Sequence, residues 1–298
     1  MLAFTLVRSA ALAALIIAAS NAATAGRADE NQAARSILTT ALDRLGGADH
    51  LRNQRTWFVA GTGEENLSAE LQGLTPDEET VRPHEEWLGV DQQQAAVAWE
   101  RRTPRNDHSV RWRRFLYGRD STGFIVWTDS VSVMRAGATP MTRRRGMMRR
   151  IPQLLLLDAA SADSLRVGTT RMLGGKRHQE VRALLDDGWI SLWISADSSL
   201  LNAAEYQTEL PGRGGVTVRW EWRDWRRERA GVLRPGGHRV VIDGRTFQTV
   251  AYRRFEVAGP AADSLLRIPN EIRSRPRPMA MSAPATADSA LPVSGEVA

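Results

Sequence analysis

The chain has 298 residues and a formal net charge of +6 at pH 7. This length is compatible with one large β domain or two small ones, and an apolar fraction of 42% is enough to build a core. A charge this small, spread over both signs, gives no reason to expect nucleic acid as a partner. The sequence contains no cysteine, which excludes disulfides, thiol catalysis, thiolate metal sites and a lipid-modified cysteine within it.

Residues 1–25 have the layout of a secretory signal. Arg8 supplies the positive flank, residues 9–19 are apolar, and residues 23–25 form a small-residue cleavage site. The residues before Arg8 are apolar as well, so an uncleaved N-terminal membrane anchor is the alternative. In either case we expect the folded part to be exported to the periplasm or cell envelope.

Residues 31–51 are predicted to be helical, because Ala34, Leu38 and Leu42 belong to a repeat that puts apolar side chains on one face. Paired glycines at positions 46 and 47 are predicted to end this helix. A short turn over residues 48–53 then leads into the strands. The first strand-like runs are Thr56–Gly63, Arg82–Val90, Ala95–Arg102, Val110–Tyr117 and Gly123–Met134, with a loop over Glu64–Glu79.

Residues 139–160 interrupt the strands with a predicted helix, capped by Thr142 and broken or kinked at Pro152. One interpretation is a cover over an open end of the sheet, with leucines in the core and arginines in solvent. The other is a basic amphipathic segment that docks on a membrane surface or an acidic partner. Its basic patch consists of Arg143, Arg144, Arg145, Arg149 and Arg150.

The strand pattern resumes at Asp163 and is clearest over Lys176–Tyr252, where short apolar runs alternate with turn signals such as Asp187-Gly188 and Asp243-Gly244. In residues 216–222 every second residue is apolar, which predicts a strand with one dry and one wet face. We therefore predict a mainly β (α+β) fold. Its single large curved antiparallel sheet, an incomplete β-barrel, carries an N-terminal helix and a central covering helix.

The predicted domain spans residues 31–272 and is closed by residues 260–270. Residues 273–298 are rich in proline, alanine and serine and show no apolar periodicity. They cannot bury enough surface to offset their chain entropy, so we predict a disordered tail.

The segment ALDRLGGADHLRNQRTWFVAGTG, followed by a long meander, resembles the LolA-like family of envelope proteins. The resemblance implies an incomplete β-barrel. In the carrier proteins of this family, acyl chains are held between the sheet and its covering helices. Two further segments are similar to the N-terminal region of exported metallo-β-lactamase-fold hydrolases: GGKRHQEVRALLDDGWISLWISADSSLLNAAEYQTE and VRWEWRDWRRERAGVLRPGGHRVV. The hydrolase domain and its His-x-His-x-Asp-His motif are absent, so no metal chemistry is carried over.

The sequence predicts neither catalysis nor a cofactor or metal site. The five histidines are far apart and lack ligand spacing. Asp186-Asp187 precedes a glycine between two strands and is interpreted as a hairpin turn. No Gly-x-Ser-x-Gly elbow, phosphate loop or dinucleotide fingerprint occurs.

The ten tryptophans are the remaining signal. The strand Gly188–Ile194 is apolar on both faces, which predicts that each face is covered. Ordinary core packing is one interpretation of the tryptophans, and a groove for an acyl chain or other apolar ligand is the other. The candidate binding residues are Trp189, Trp193, Trp220, Trp222, Met147, Met148, Leu154 and Leu155.

Two functions follow from these patterns. The first is a non-enzymatic exported envelope protein that binds a lipid, a lipoprotein acyl chain or another apolar ligand on the concave face of the sheet. The second is an accessory or structural subunit of an envelope membrane protein complex, held by an uncleaved N-terminal helix. An exported hydrolase is disfavoured, because the chain offers no nucleophile or metal set.

Overall fold

The structure, a computed structural model, describes residues 29–66, 81–104, 110–117, 123–127, 131–134, 144–210, 214–228 and 231–267. The predicted export signal, Thr142, Arg143 and the predicted tail lie outside the described residues. Among the described helices, none combines the length and apolar character that a membrane crossing requires.

Most of the described chain forms one antiparallel sheet of thirteen strands. Buried and exposed residues alternate at the end of strand β8, for example, as a sheet with one face on a core requires. The strands are β1 (Thr56–Asn66), β2 (Val81–Asp91), β3 (Ala96–Pro104), β4 (Val110–Tyr117), β5 (Gly123–Trp127), β6 (Val131–Met134), β7 (Leu165–Leu173), β8 (Lys176–Leu185), β9 (Gly188–Ser195), β10 (Leu201–Leu210), β11 (Gly214–Arg223), β14 (Gly237–Ile242) and β15 (Arg245–Val257), while β12 (Arg226–Arg227) and β13 (Leu233–Arg234) form a separate hairpin.

The two halves of the sheet are joined by its first and last strands. The order is β6-β5-β4-β3-β2-β1-β15-β14-β11-β10-β9-β8-β7, so β1 pairs with β15, and β6 and β7 lie at the two edges. A register shift after Ala60 lets Gly61 face Tyr252. The predicted mainly β fold with a single open antiparallel sheet is confirmed.

Helices cover the sheet on both faces. Four helices contribute to the main core on the inner face: α1 (residues 29–45), α2 (Ala48–Asn53), α3 (residues 144–148) and α4 (Pro152–Ala160). Helix α5 (Pro260–Leu266) packs on the outer face of β1–β3, where Ala262 and Leu265 contact Phe58. The N-terminal and central covering helices are thus confirmed.

Several predicted boundaries were wrong. Strand β1 runs three residues beyond Gly63, into the predicted loop. The predicted strand Gly123–Met134 is two paired strands, β5 and β6. Gly46 and Gly47 do separate α1 from α2, with φ angles of 133° and 92° that glycine tolerates best.

Candidate functional site

The covering segment 144–160 is two helices joined by a tight turn. Proline lacks a backbone N–H, so it is favourable in the first turn of a helix, where Pro152 begins α4. Before it, the backbone N–H of Arg150 donates to the Met147 carbonyl (3.2 Å), and that of Ile151 donates to the Met148 carbonyl (3.1 Å). These hydrogen bonds hold residues 149–151 in position above the sheet.

A cavity of about 160 Å³ lies between this segment and the inner face of β9, β10 and β11. Leu155 of α4 forms part of its roof, and Ile190, Ala204 and Trp222 form part of its apolar wall. The remaining lining residues are Gly146, Arg149, Arg150, Asp187, Gly188, Trp189, Tyr206, Gln207, Thr208 and Trp220. The site is therefore a mostly apolar cleft with a few polar groups, the usual composition of a small-molecule pocket.

Two of the four candidate tryptophans face this cavity together. Trp220 and Trp222 follow each other on the inner face of β11, and their stacked rings have centroids 6.4 Å apart. The indole N–H of Trp222 donates to the carbonyl of Arg150 (3.3 Å). The predicted one-sided apolar pattern of β11 thus anchors the turn between α3 and α4 to the sheet.

The rings of the other two candidate tryptophans contact arginines on the outer face of β9, although Trp189 also contributes to the cavity lining. Trp189 lies beneath the guanidinium groups of Arg166 and Arg182 (4.9 and 5.4 Å to the ring centroid), and Arg171 lies 5.6 Å from Trp193. The opposite side of β9 carries Ile190, Leu192 and Ile194, which belong to the core. Trp189, Trp220 and Trp222 therefore contribute to the cavity lining, whereas Trp193 does not.

The four apolar candidates in the covering segment also differ from one another. Leu154 and Leu155 are buried in the core, and Leu155 lines the cavity. Met147 and Met148 are partly buried and pack against the same core. Of the four, only Leu155 is in the cavity lining.

The basic residues of the segment do not form an exposed patch. Arg149 donates to Asp158 (2.8 Å) and Asp187 (2.6 Å). Arg145 pairs with Asp186, and Arg144 is buried, which lowers its pKa. Arg150 is partly buried and lines the cavity. Arg144 and Arg149 are thus mostly buried rather than solvated. Docking of the segment on a membrane surface or an acidic partner stays a prediction.

A buried polar cluster borders the cavity on the inner face of β2, β3, β14 and β15. At its centre Glu86 accepts hydrogen bonds from Gln248 (3.0 Å) and Arg101 (3.5 Å). His238 donates or accepts at Tyr252 (2.8 Å), depending on its tautomer, and its other ring nitrogen lies 3.8 Å from Glu86. The His238 ring also contacts Trp220, 4.8 Å between centroids, so cluster and cavity share a wall.

Burial and charge set the ionisation of this cluster. Burial would raise the pKa of Glu86, but His238, Arg101 and Arg150 lower it to about 2. Burial lowers the pKa of His238 to about 4, with Arg150 and Arg101 acting in the same direction against Glu86. Burial also raises the pKa of Tyr252. At neutral pH the cluster therefore holds an ionised Glu86 and a neutral His238.

The close approach of β15 explains two glycines in β1. A Cβ on Gly63 would lie 2.2 Å from the Thr249 carbonyl oxygen and 3.1 Å from the His84 ring, and one on Gly61 would lie 2.6 Å from the Ala251 carbonyl oxygen. Only glycine leaves room there for the backbone of the neighbouring strand. Among the described residues, no group of His, Asp and Glu is arranged to hold a metal ion.

Sequence reasoning missed this cluster, although one signal was present. His84 and Glu86 alternate in phase with Leu88 and Val90, so the period-two rule puts all four on one face of β2. A carboxylate in register with core residues indicates a buried charge that needs partners. Two of those partners, Gln248 and His238, come from β15 and β14, more than 150 residues further along the chain.

No protein-family model matches the sequence, and no curated protein matches it. A domain of an outer membrane lipoprotein-sorting protein from Vibrio parahaemolyticus is similar in structure, with 6% sequence identity, coverage of 80% of this chain and 100% of its own, and a TM-score of 0.47. A DUF1329 family protein from Desulfovibrio piger ATCC 29098 has 10% identity, coverage of 80% and 97%, and a TM-score of 0.49.

Proposed function

We propose that this chain is a non-enzymatic protein of the cell envelope that binds an apolar chain, such as a lipid or lipoprotein acyl group, in the cavity beneath α3 and α4. The observation that carries the proposal is the cavity itself. It lies between two layers that are otherwise closely packed, and Leu155, Ile190 and Trp222 contribute apolar surface to it. Burial of an apolar group in the cavity is favourable by about 25 cal/mol of free energy per Å² of surface removed from water.

The size of the cavity limits what binds without rearrangement. At about 160 Å³ it is smaller than the roughly 300–1,000 Å³ of typical ligand sites. A short or medium alkyl chain is therefore the best-matched ligand, and a longer chain requires α3 and α4 to move outward. The turn at residues 149–151 joins two separate helices, which gives the cover a natural point of movement.

Native mass spectrometry of the protein purified from its own envelope tests the proposal. The expected result is a co-purified lipid, released under denaturing conditions. Ala204 lines the cavity and Ala203 lies on the opposite face of the same strand, so Ala204→Leu fills the site while Ala203→Leu is its matched control. We expect lipid with the wild type and the control but not with Ala204→Leu. Protein that is consistently free of lipid contradicts the proposal.

A second candidate function, an accessory subunit of an envelope complex, is favoured by the outer face near the β7 edge. Leu184 is 42% exposed and Met172 is 62% exposed there. Trp189, with Arg166 and Arg182 above its ring, lies beside Leu184. Tryptophan and arginine are the residues most enriched at interface hot spots. Purification of a stable membrane assembly that dissociates on Leu184→Glu substitution supports this function, and a free monomer contradicts it.

A further inference from the structure

We propose that the ligand of the cavity carries an anionic head group, and that the Arg150 guanidinium binds this anion while the alkyl chain lies against Leu155, Ile190 and Trp222. This inference rests on the proposed function and specifies its ligand as an anionic amphiphile, a carboxylate or phosphate on an alkyl chain.

The first support is that Arg150 carries a positive charge while none of the described residues accepts a hydrogen bond from its side chain. Its guanidinium lies 5.2 Å from the ring centroids of both Trp99 and Trp220. Within the part of the chain that the structure describes, no oxygen accepts a hydrogen bond from this side chain and no carboxylate forms an ion pair with it. A guanidinium has five N–H donors in a planar fork that matches carboxylate and phosphate oxygens.

Among the described residues, the neighbouring Arg145 and Arg149, unlike Arg150, each have a carboxylate partner. Arg149 engages Asp158 and Asp187, and Arg145 engages Asp186. Glu86 attracts Arg150 through space, but its described hydrogen bonds come from Gln248 and Arg101. Burial lowers the pKa of Arg150, which means that its charge is held at a cost in free energy. A bound anion would supply the missing hydrogen bonds and offset that cost.

The second support is that the side chain is held in place at the cavity. The Arg150 carbonyl accepts from the indole of Trp222, and its backbone N–H donates to Met147. Two tryptophan rings restrict the guanidinium further through cation–π contacts. A donor group that is pre-positioned in this way loses little entropy when it binds an anion.

The test is isothermal titration calorimetry of the wild-type protein with decanoate, decyl phosphate and decanol. The two anions are kept below their micelle concentrations and decanol below its solubility limit. We expect at least one anion to bind about 10- to 100-fold more tightly than decanol, as charge-assisted hydrogen bonds of this kind do. Which anion binds more tightly identifies the head group. In Arg150→Gln the advantage of the anion over decanol should disappear, whereas Arg150→Lys should keep part of it.

The matched control is Arg239→Gln, since Arg239 pairs with Glu221 away from the cavity. It should retain the wild-type preference. Equal affinity of the wild type for decanol and both anions would overturn the inference and leave the proposed function standing. Failure of all three probes to bind contradicts the proposed function and the inference with it. An anion preference that persists in a folded Arg150→Gln protein would overturn the assignment to Arg150.

Discussion

Two adjacent regions on the inner face of the sheet differ in how they fill their space. The polar cluster around Glu86 fills its space with charged and hydrogen-bonding side chains that mostly pair with one another. The cavity beneath α4 has apolar walls and unfilled volume. Trp220 separates them, since its ring contacts His238 on one side and lines the cavity on the other.

This difference predicts which substitutions change the stability of the protein and which change ligand binding. A buried charge cluster is costly to break, because a lost partner leaves another charge desolvated. A cavity can be filled or left empty at much smaller cost. We therefore expect substitutions in the cluster to affect stability most, and substitutions at the cavity to affect ligand binding most.

Glu86→Ala should have the largest effect on stability. It removes the carboxylate that Gln248 and Arg101 contact and that Arg150 faces at longer range. We expect the free energy of unfolding to fall by about 3–5 kcal/mol, measured by urea denaturation. Glu85→Ala is the control, because Glu85 is exposed on the other face of β2 and should change it by less than about 0.5 kcal/mol. Equal effects of the two substitutions would show that Glu86 is not part of a buried network.

The second effect is a loss of stability in mild acid. The unfolded chain protonates His238 at its ordinary pKa of 6.5, whereas the folded chain resists protonation until about pH 4. Lowering the pH through this window therefore favours unfolding, by up to about 3 kcal/mol. Below pH 4.5 the unfolded chain also protonates Glu86 more readily than the folded chain, which lowers the free energy of unfolding further.

His238→Gln checks this assignment, since glutamine does not titrate and can still bond to Tyr252. The variant should show a flatter dependence of unfolding free energy on pH between 6.5 and 4. An unchanged slope would place the acid sensitivity elsewhere.

Much of the fold could be predicted from local pattern. The strand Val110–Tyr117, the glycine pair at 46 and 47, and the break before α4 follow from periodicity, positive φ and the chemistry of Pro152. The pairing of β1 with β15 could not, because nothing local specifies which distant strand completes the ladder.

The candidate site was predicted only in part, for a related reason. Continuing a period of two back from Phe255 would put Arg253 on the inner face. The register shift after Ala60 instead puts Tyr252 there, opposite Gly61. A single bulge thus changes which face the residues on its far side occupy. The pairing of Arg145 and Arg149 could not be predicted locally either, because their partners Asp186 and Asp187 belong to the turn between β8 and β9.

Trp222→Phe should give an intermediate effect at the boundary between the two regions. The substitution removes the donor to the Arg150 carbonyl while keeping an aromatic ring. We expect about 1–2 kcal/mol of lost stability, since a buried carbonyl loses its partner. Thermal unfolding measures it, and a variant as stable as the wild type would show that this bond does not hold the turn to the sheet.

Ala204→Leu should have the smallest effect on stability. Because the cavity has room for the added methyl groups, we expect the free energy of unfolding to stay within about 1 kcal/mol of the wild-type value. A cost of about 2–3 kcal/mol in urea denaturation would mean that the space is already filled by packing.

The most direct test of the central claim is the location of a bound alkyl chain by NMR. In a sample with ¹³C-labelled methyl groups and unlabelled decanoate, we predict intermolecular NOEs from the chain to the methyl groups of Ala204, Ile190 and Leu155, which line the cavity. NOEs confined to Met172 and Leu184, the exposed apolar residues of the outer face, would contradict the account.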